Sequence, residues 1–239
     1  MSTEEASGAE KAELLIVIPA YNEAENIERV VNHLTANFPQ YDYVVVNDGS
    51  RDETAAICQR NGYNLLNLPV NLGLAGAFQA GLKYADKYGY QYAVQLDGDG
   101  QHRPEYLESM IKKMEEGYDI VIGSRFVGEK KPFTMRMLGS NLIEMAIRFT
   151  TGVNIKDPTS GMRMFSKRMI REFASGLNYG PEPDTVSYLI RQGARVAEVP
   201  VIMDERILGV SYLTPVNAMR YMLKMLISIL LIQNFRKRR

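Results

Sequence analysis

This sequence is short of the residues that build disulfide scaffolds and zinc centres. It has one cysteine, Cys58, so no disulfide can close within the chain. Two histidines, His33 and His102, stand beside it, too few for a Cys/His zinc cluster. There is no surplus of either charge: Lys+Arg and Asp+Glu both number 28. That balance argues against a general nucleic-acid binder, which would carry a basic excess. A local basic patch is still compatible with that balance, and the last four residues, Arg236-Lys237-Arg238-Arg239, form one. The first residues, MSTEEASGAEKAE, lack the basic-then-apolar layout of a signal peptide. We read residues 1–12 as a mobile tail and the protein as intracellular. Three phosphate or nucleophile signatures are missing as well. There is no G-x-x-x-x-G-K-[ST], Gly73, Gly76 and Gly81 do not form G-x-G-x-x-G, and no G-x-S-x-G occurs. A P-loop NTPase, a dinucleotide-dependent dehydrogenase and an α/β-hydrolase all lose ground.

What is present suits one large soluble domain: 239 residues, 46% apolar and 23% charged. Five short apolar runs punctuate the first half: Leu14 to Ile18, Val44 to Val46, Tyr63 to Leu68, Tyr92 to Leu96, and Asp119 to Ile122. Runs apolar on both faces suit parallel strands covered by helices. Helical patterns lie between them, at Glu23 to Asn37, Asp52 to Arg60, Gly73 to Lys87 and Pro104 to Glu116. Alternation of this kind predicts an α/β, mostly parallel sheet flanked by helices. In such sheets ligands bind at the carboxyl ends of the strands. The polar clusters Tyr21-Asn22-Glu23, Asp48-Gly49-Ser50 and Asp97-Gly98-Asp99 fall there. The second half is less regular. Thr134 to Thr150 and Glu182 to Gln192 read as helices, Val196 to Val201 as a strand, and Asp157 to Gly161 as a turn. A Met/Leu/Ile-rich helix begins at Pro215.

Asp97 and Asp99 raise the chemical question. Both are ionised at pH 7, and two carboxylates held close repel unless a cation sits between them. Mg²⁺ and Mn²⁺ take oxygen ligands and keep positions open for substrate phosphates. The pair therefore reads either as a metal–diphosphate site or as a solvated Asp/Gly turn. His102, beside a proline, reads as a hydrogen-bonding loop residue before it reads as a ligand.

Five segments occur in order: IPAYNEAENI (Ile18 to Ile27), VVNDGSRDET (Val45 to Thr54), NLGLAGAFQAGL (Asn71 to Leu82), QLDGDGQHRPE (Gln95 to Glu105) and GSRF (Gly123 to Phe126). Together they resemble the family 2 glycosyltransferases of GT-A fold, in the branch that includes dolichol-phosphate mannose synthase and bacterial polyprenyl-phosphate glycosyltransferases. The resemblance covers roughly residues 13 to 212. It implies that Pro19, Tyr21, Glu23, Asn47, Asp48, Asp97, Gly98 and Ser211 bind a nucleotide-sugar, with a UDP-sugar favoured. It implies that Asp97, Asp99 and Gln101 hold Mg²⁺ or Mn²⁺ with the diphosphate, and that Asp99, Arg125 and Arg206 are catalytic. DPTSGMRMF (Asp157 to Phe165) resembles the family's acceptor-side loop. VPVIMDERILGVSY (Val199 to Tyr212) resembles the stretch that folds over the donor. Two departures stand out: Asn47 replaces a common aspartate, and Tyr212 replaces a lysine after Ser211. The second removes a charge from the phosphate site.

The implied activity is transfer of a sugar, with inversion, to a polyprenyl phosphate at the cytoplasmic membrane face, for cell-envelope glycans. A phosphate monoester is already a nucleophile at pH 7, so this acceptor requires no general base. Two alternatives stay open. One is transfer to a sugar hydroxyl, with Glu182 or Asp184 as base, although acidic residues there also suit a helix N-terminus. The other is a catalytically dead membrane-associated subunit. The division expected is 13–214 for the catalytic domain and 215–239 for a helix that meets the membrane peripherally or docks on a small membrane-protein partner or a second copy, the alternative being a last helix packed on the enzyme's own core. In that tail the uncharged run Met225 to Phe235 has eleven residues, against about 20 needed to span a bilayer.

Overall fold

The computed structural model describes residues 13–129, 131–132, 134–176, 180, 182–204 and 215–235. The five apolar runs form strands: β1 (Leu14–Ala20), β2 (Asp42–Asn47), β3 (Leu65–Asn67), β4 (Tyr92–Gln95) and β5 (Ile120–Ser124). Two more join them, β6 (Arg163–Ser166) and β7 (Val196–Pro200). The helices are α1 (Ile27–Asn37), α2 (Thr54–Arg60), α3 (Gly73–Tyr88), α4 (Leu107–Glu115), α5 (Met135–Thr151), α6 (Lys167–Ser175), α7 (Pro183–Arg191) and α8 (Pro215–Leu230).

One sheet runs through the molecule in the order β3-β2-β1-β4-β6-β5-β7. The pairs β1–β2, β1–β4, β2–β3 and β5–β7 are parallel, and β6 is antiparallel to both its neighbours. This is the mostly parallel α/β sheet that the apolar runs predict, with one reversed strand between β4 and β5. Every residue of β1 is buried. Its side chains alternate between two cores, as the period of two in a strand requires. Leu15 and Val17 face α3 and the second-half helices, while Leu14, Ile16 and Ile18 face α1, α2 and α4.

Packing of the second half rests on α3 and α5. α6 lies against α3, and α8 lies against α5 and α7. Met225 and Ile229 of α8 are buried in the same core as Ile143 and Ile147 of α5. Thr134 caps α5 by accepting the Met137 amide at 3.2 Å, which satisfies a donor the first turn would leave open. Gly152 ends that helix in a left-handed conformation. Among the described residues no helix is long and apolar enough to cross a membrane.

Candidate active site

The carboxyl ends of β1, β2 and β4 open onto one cleft of about 380 Å³, within the roughly 300–1,000 Å³ of small-molecule sites. Its walls include Pro19, Tyr21, Glu23, Asp48, Asp97, Gly98 and Asp99. These are seven of the residues singled out in the sequence, drawn from three segments separated by up to 80 positions.

The loops after β1 and β2 are stitched together. The Asn22 amide donates to Ser50 Oγ at 3.0 Å and the Arg51 amide returns to Asn22 Oδ1 at 2.9 Å. The Glu23 amide donates to Thr54 Oγ1 at 2.9 Å, and Ala24 N–H to Asp52 Oδ2 at 3.1 Å. Asn47 sits below the cleft rather than in its wall. Its Oδ1 accepts from Ser50 Oγ at 2.5 Å and its amide donates to Asn67 Oδ1 at 2.6 Å. Asp48 Oδ1 accepts the Leu72 amide at 2.7 Å, which ties β2 to the start of α3. Burial pushes the Asp48 carboxyl above its ordinary range, only partly offset by the Leu72 and Gly73 amides.

Asp97, Gly98 and Asp99 follow β4. A Cβ at Gly98 would stand 3.1 Å from the Pro19 carbonyl, so a larger residue here would press on the backbone at the end of β1. Asp97 Oδ1 accepts from Gln95 Nε2 at 2.8 Å, and Asp99 Oδ1 from the Gln101 amide at 3.0 Å. His102 is buried and turned inward. Its Nδ1 accepts the Asp97 amide at 3.0 Å, and its Nε2 lies 3.6 Å from Asp97 Oδ2. With Nδ1 occupied, His102 acts as a hydrogen-bonding loop residue. Gln101 is aimed elsewhere: its Nε2 donates to the Asp204 carbonyl at 3.2 Å, and the Asp204 amide donates to its carbonyl at 3.0 Å.

Among the described residues no cluster of three or more His, Cys, Asp or Glu could hold an ion. Two carboxylates nonetheless fit Mg²⁺ or Mn²⁺, which commonly use one or two protein carboxylates and take the rest of their shell from phosphate and water. Asp97 and Asp99 on one cleft wall are such a donor set.

Arg125 is placed at the end of β5 and forms a fork with Asp157. Its Nε donates to Oδ2 at 2.7 Å and its Nη2 to Oδ1 at 2.8 Å. Two parallel charge-assisted bonds fix the plane of the guanidinium. The loop carrying Asp157 is anchored in turn. The Lys156 and Asp157 amides donate to Glu198 at 2.8 Å each, Ser160 Oγ donates to the Gly123 carbonyl at 2.5 Å, and Arg163 Nη2 donates to the Pro158 carbonyl at 2.6 Å. This loop reaches the acid pair, since a Cβ at Gly161 would lie 3.2 Å from Asp97 Oδ2. Arg125 and Gln101 are not among the residues that line the cleft, and Arg206 and Ser211 lie outside the described residues.

Three features were not singled out from the sequence. Asn71 and Leu74 line the cleft; they stand in NLGLAGAFQAGL, whose order among the five segments was the available signal. Asp157 as the partner of Arg125 had no local signal, being 32 residues away. The third is the fate of Glu182 and Asp184. Tyr221 donates its hydroxyl to Glu182 Oε2, and Ser228 Oγ donates to Asp184 Oδ2 at 2.6 Å. Both acids therefore hold α8. Glu182 makes no side-chain cap bond to α7.

Comparison with known proteins is consistent with this architecture. The model of Glycosyl transferase family 2 matches residues 15–174. The chain is 32% identical over 223 residues to polyprenol monophosphomannose synthase of Mycolicibacterium smegmatis, covering 88% of this chain and 84% of that protein. It is 30% identical over 213 residues to the UDP-N-acetylglucosamine–dolichyl-phosphate N-acetylglucosaminyltransferase of Methanococcus voltae, covering 79% and 84%. Among solved structures, glucosyl-3-phosphoglycerate synthase from Mycobacterium tuberculosis, crystallised with Mn²⁺, UDP and glucosyl-3-phosphoglycerate, superposes with a TM-score of 0.67. It shares 20% identity, covering 93% of this chain and 80% of that one.

Proposed function

The chain belongs to glycosyl transferase family 2, and on that premise we propose that it transfers a sugar from a UDP-sugar to a polyprenyl phosphate at the cytoplasmic membrane face. The reaction replaces one C–O bond with another. A phosphate oxygen of the acceptor attacks the anomeric carbon, and the electron pair of the breaking bond leaves on the nucleoside diphosphate. Attack opposite the leaving group inverts the anomeric centre.

Each part of the cleft has a role in that reading. Asp48, with Tyr21 and Pro19, holds the nucleoside end. Asp97 and Asp99 are the groups that would hold Mg²⁺ or Mn²⁺; such an ion neutralises charge that develops on the diphosphate. Arg125, oriented by Asp157, adds positive potential behind the acid pair, and Arg206 and Ser211 complete the phosphate site. The loop Asp157 to Gly161 borders Asp97 on the acceptor side.

One observation carries the choice of acceptor: Glu182 and Asp184, the carboxylates read as candidate bases, are occupied by Tyr221 and Ser228. A sugar hydroxyl would need a base, whereas a phosphate acceptor is already ionised. The names of the relatives support the same acceptor, and the Methanococcus relative's donor supports uridine.

The test is release of nucleoside diphosphate from a panel of UDP- and GDP-sugars with Mn²⁺, with and without a short-chain polyprenyl phosphate. Release that depends on the polyprenyl phosphate and appears with a UDP-sugar is the expected result. Turnover of a GDP-sugar alone would correct the nucleotide and leave the acceptor standing. Turnover on free sugar acceptors but not on the lipid phosphate would overturn the reading.

A further inference from the structure

Backbone strain kept in a folded protein marks a place where the surroundings over-determine the chain, and such places gather at ligand sites. Asn22 has a φ of 55°, and among the described residues it is the one non-glycine with a positive φ. A Cβ disfavours that left-handed region, and asparagine tolerates it better than most residues. The turn falls between Tyr21 and Glu23, which both line the cleft.

This turn is held from outside its own segment. Three consecutive amides, of Asn22, Glu23 and Ala24, donate to Ser50 Oγ, Thr54 Oγ1 and Asp52 Oδ2 at 3.0, 2.9 and 3.1 Å. The acceptors alternate along Ser50-Arg51-Asp52-Glu53-Thr54. Between them, the Arg51 amide donates back to Asn22 Oδ1 at 2.9 Å. The acceptors are themselves fixed. Ser50 Oγ donates to Asn47 Oδ1 at 2.5 Å, and Asn47 Nδ2 donates to Asn67 Oδ1 at 2.6 Å. Thr54 Oγ1 donates to Asp52 Oδ1 at 2.5 Å, and Thr54 is buried at the start of α2. Asn47 is buried and does not line the cleft; it acts on the wall through Ser50 and Asn22.

We infer that Ser50, Asp52 and Thr54 are positioning residues for the donor: they hold the left-handed turn at Asn22 and so set Tyr21 and Glu23 in the wall that receives the nucleotide-sugar. The inference deepens the nucleotide-sugar reading and rests on it. Ser50 follows Asp48 by two residues, so one loop supplies both the Asp48 carboxylate and the side chain that shapes the neighbouring segment. A tie that served stability alone would move the melting transition and leave donor affinity as it is. A positioning role lowers donor affinity and leaves acceptor affinity as it is.

The experiment measures binding of UDP and of GDP to the full chain with Mn²⁺ by calorimetry, and KM for the nucleotide-sugar and for a short-chain polyprenyl phosphate. Ser50→Ala should weaken nucleotide binding about two- to tenfold, the worth of one hydrogen bond, and raise donor KM alike, with acceptor KM unchanged. Thr54→Val, which removes the acceptor of the Glu23 amide at nearly constant volume, should do the same. Asn22→Val, whose branched side chain opposes a positive φ, should weaken binding about tenfold or more. Asn22→Gly adopts that φ freely and should bind within about twofold of wild type. Hydrogen exchange at the Asn22 amide should be faster in Ser50→Ala than in wild type. Ser50→Ala and Thr54→Val that bind nucleotide like wild type overturn the inference. So does Asn22→Gly that binds as poorly as Asn22→Val, since the side chain and not the turn would then matter, and so does an unchanged exchange rate in Ser50→Ala. Wild type that binds neither nucleotide fails the functional reading and takes the donor role with it, whereas tight binding in wild type and variants alike removes the positioning role and leaves that reading standing.

Discussion

Asp97 and Asp99 follow β4, while Glu182 and Asp184 flank the first residue of α7; both pairs are acids two residues apart. The first pair borders the cleft at the end of the sheet, beside Glu23 and Asp48. The second is bonded to α8 and the turn after it, with Tyr221 on one carboxylate and Ser228 and Gln233 on the other. Burial pushes the Tyr221 hydroxyl far above its ordinary value, and the adjacent Glu182 carboxylate adds to the shift, so Tyr221 stays a donor at any physiological pH. Spacing therefore does not distinguish a ligand site from a structural tie. What distinguishes them is that the first pair lines the cleft, while the second accepts from side chains of the C-terminal segment.

Removing α8 should produce the largest effect. A chain ending at Thr214 loses the partners of the second acid pair and two buried side chains, Met225 and Ile229. At about 1.5–3 kcal/mol for each, that removes much of a stability of about 5–15 kcal/mol. Urea unfolding should show a destabilised or unfolded protein. An unchanged midpoint would mean that the second pair ties nothing together.

Asp99→Asn is the matching test of the first pair. It should cut turnover by roughly 10²-fold or more, the scale of losing a main electrostatic stabiliser, and EDTA should abolish wild-type activity. The melting transition should not move. Near-normal rates in both experiments would remove the metal from the mechanism.

Tyr221→Phe leaves the Glu182 carboxylate without its donor inside the fold and should cost about 1–3 kcal/mol, measured by thermal unfolding. Glu182→Gln and Asp184→Asn should change turnover only modestly. A loss of roughly 10³-fold at either would match a general base and would erase the contrast between the pairs.

The smallest effect concerns an acid at the opposite end of the sheet. Asp119 accepts two bonds from Arg168, at 2.8 and 2.6 Å, and one from the Arg195 amide at 2.9 Å. Burial alone would raise its pKa, but these bonds outweigh burial and leave it lowered. A carboxylate lowered in the fold adds stability that is complete above its ordinary value of 3.8 and is lost as pH falls through the folded value. Asp119→Asn should therefore destabilise the protein by about 1 kcal/mol or less at pH 7. The gap to wild type should close as the pH drops below about 3.8. A gap that widens in acid would contradict the pairing.

The first half of the chain was legible because its signals are local. Leu14 to Ile18, Val44 to Val46 and Tyr92 to Leu96 are apolar runs that stop at turn residues, and each became a parallel strand with polar residues at its carboxyl end. The four-residue strand β6 was not legible. Met164 and Phe165 look like any apolar pair, and the stretch Asp157 to Phe165 was assigned wholly to a loop. Their place between β4 and β5 comes from pairing with Val94 and Ala93 on one side and Val121 and Ile120 on the other. Arg125 was recognised, but its fork to Asp157 was not, because no periodicity links positions 32 apart.

By itself, the sequence determined the α/β class, the strand ends that carry polar residues, and the acid pair at Asp97 and Asp99. Each depends on side-chain alternation or turn chemistry within about ten residues. Tertiary structure alone decided which acids face the cleft, that Gln101 is bonded to Asp204 and Arg125 to Asp157, and which side of α5 is left to solvent. Those outcomes depend on which distant donor or apolar surface arrives beside a side chain, and only the closed chain brings Asp157 to Arg125 and α8 to Glu182.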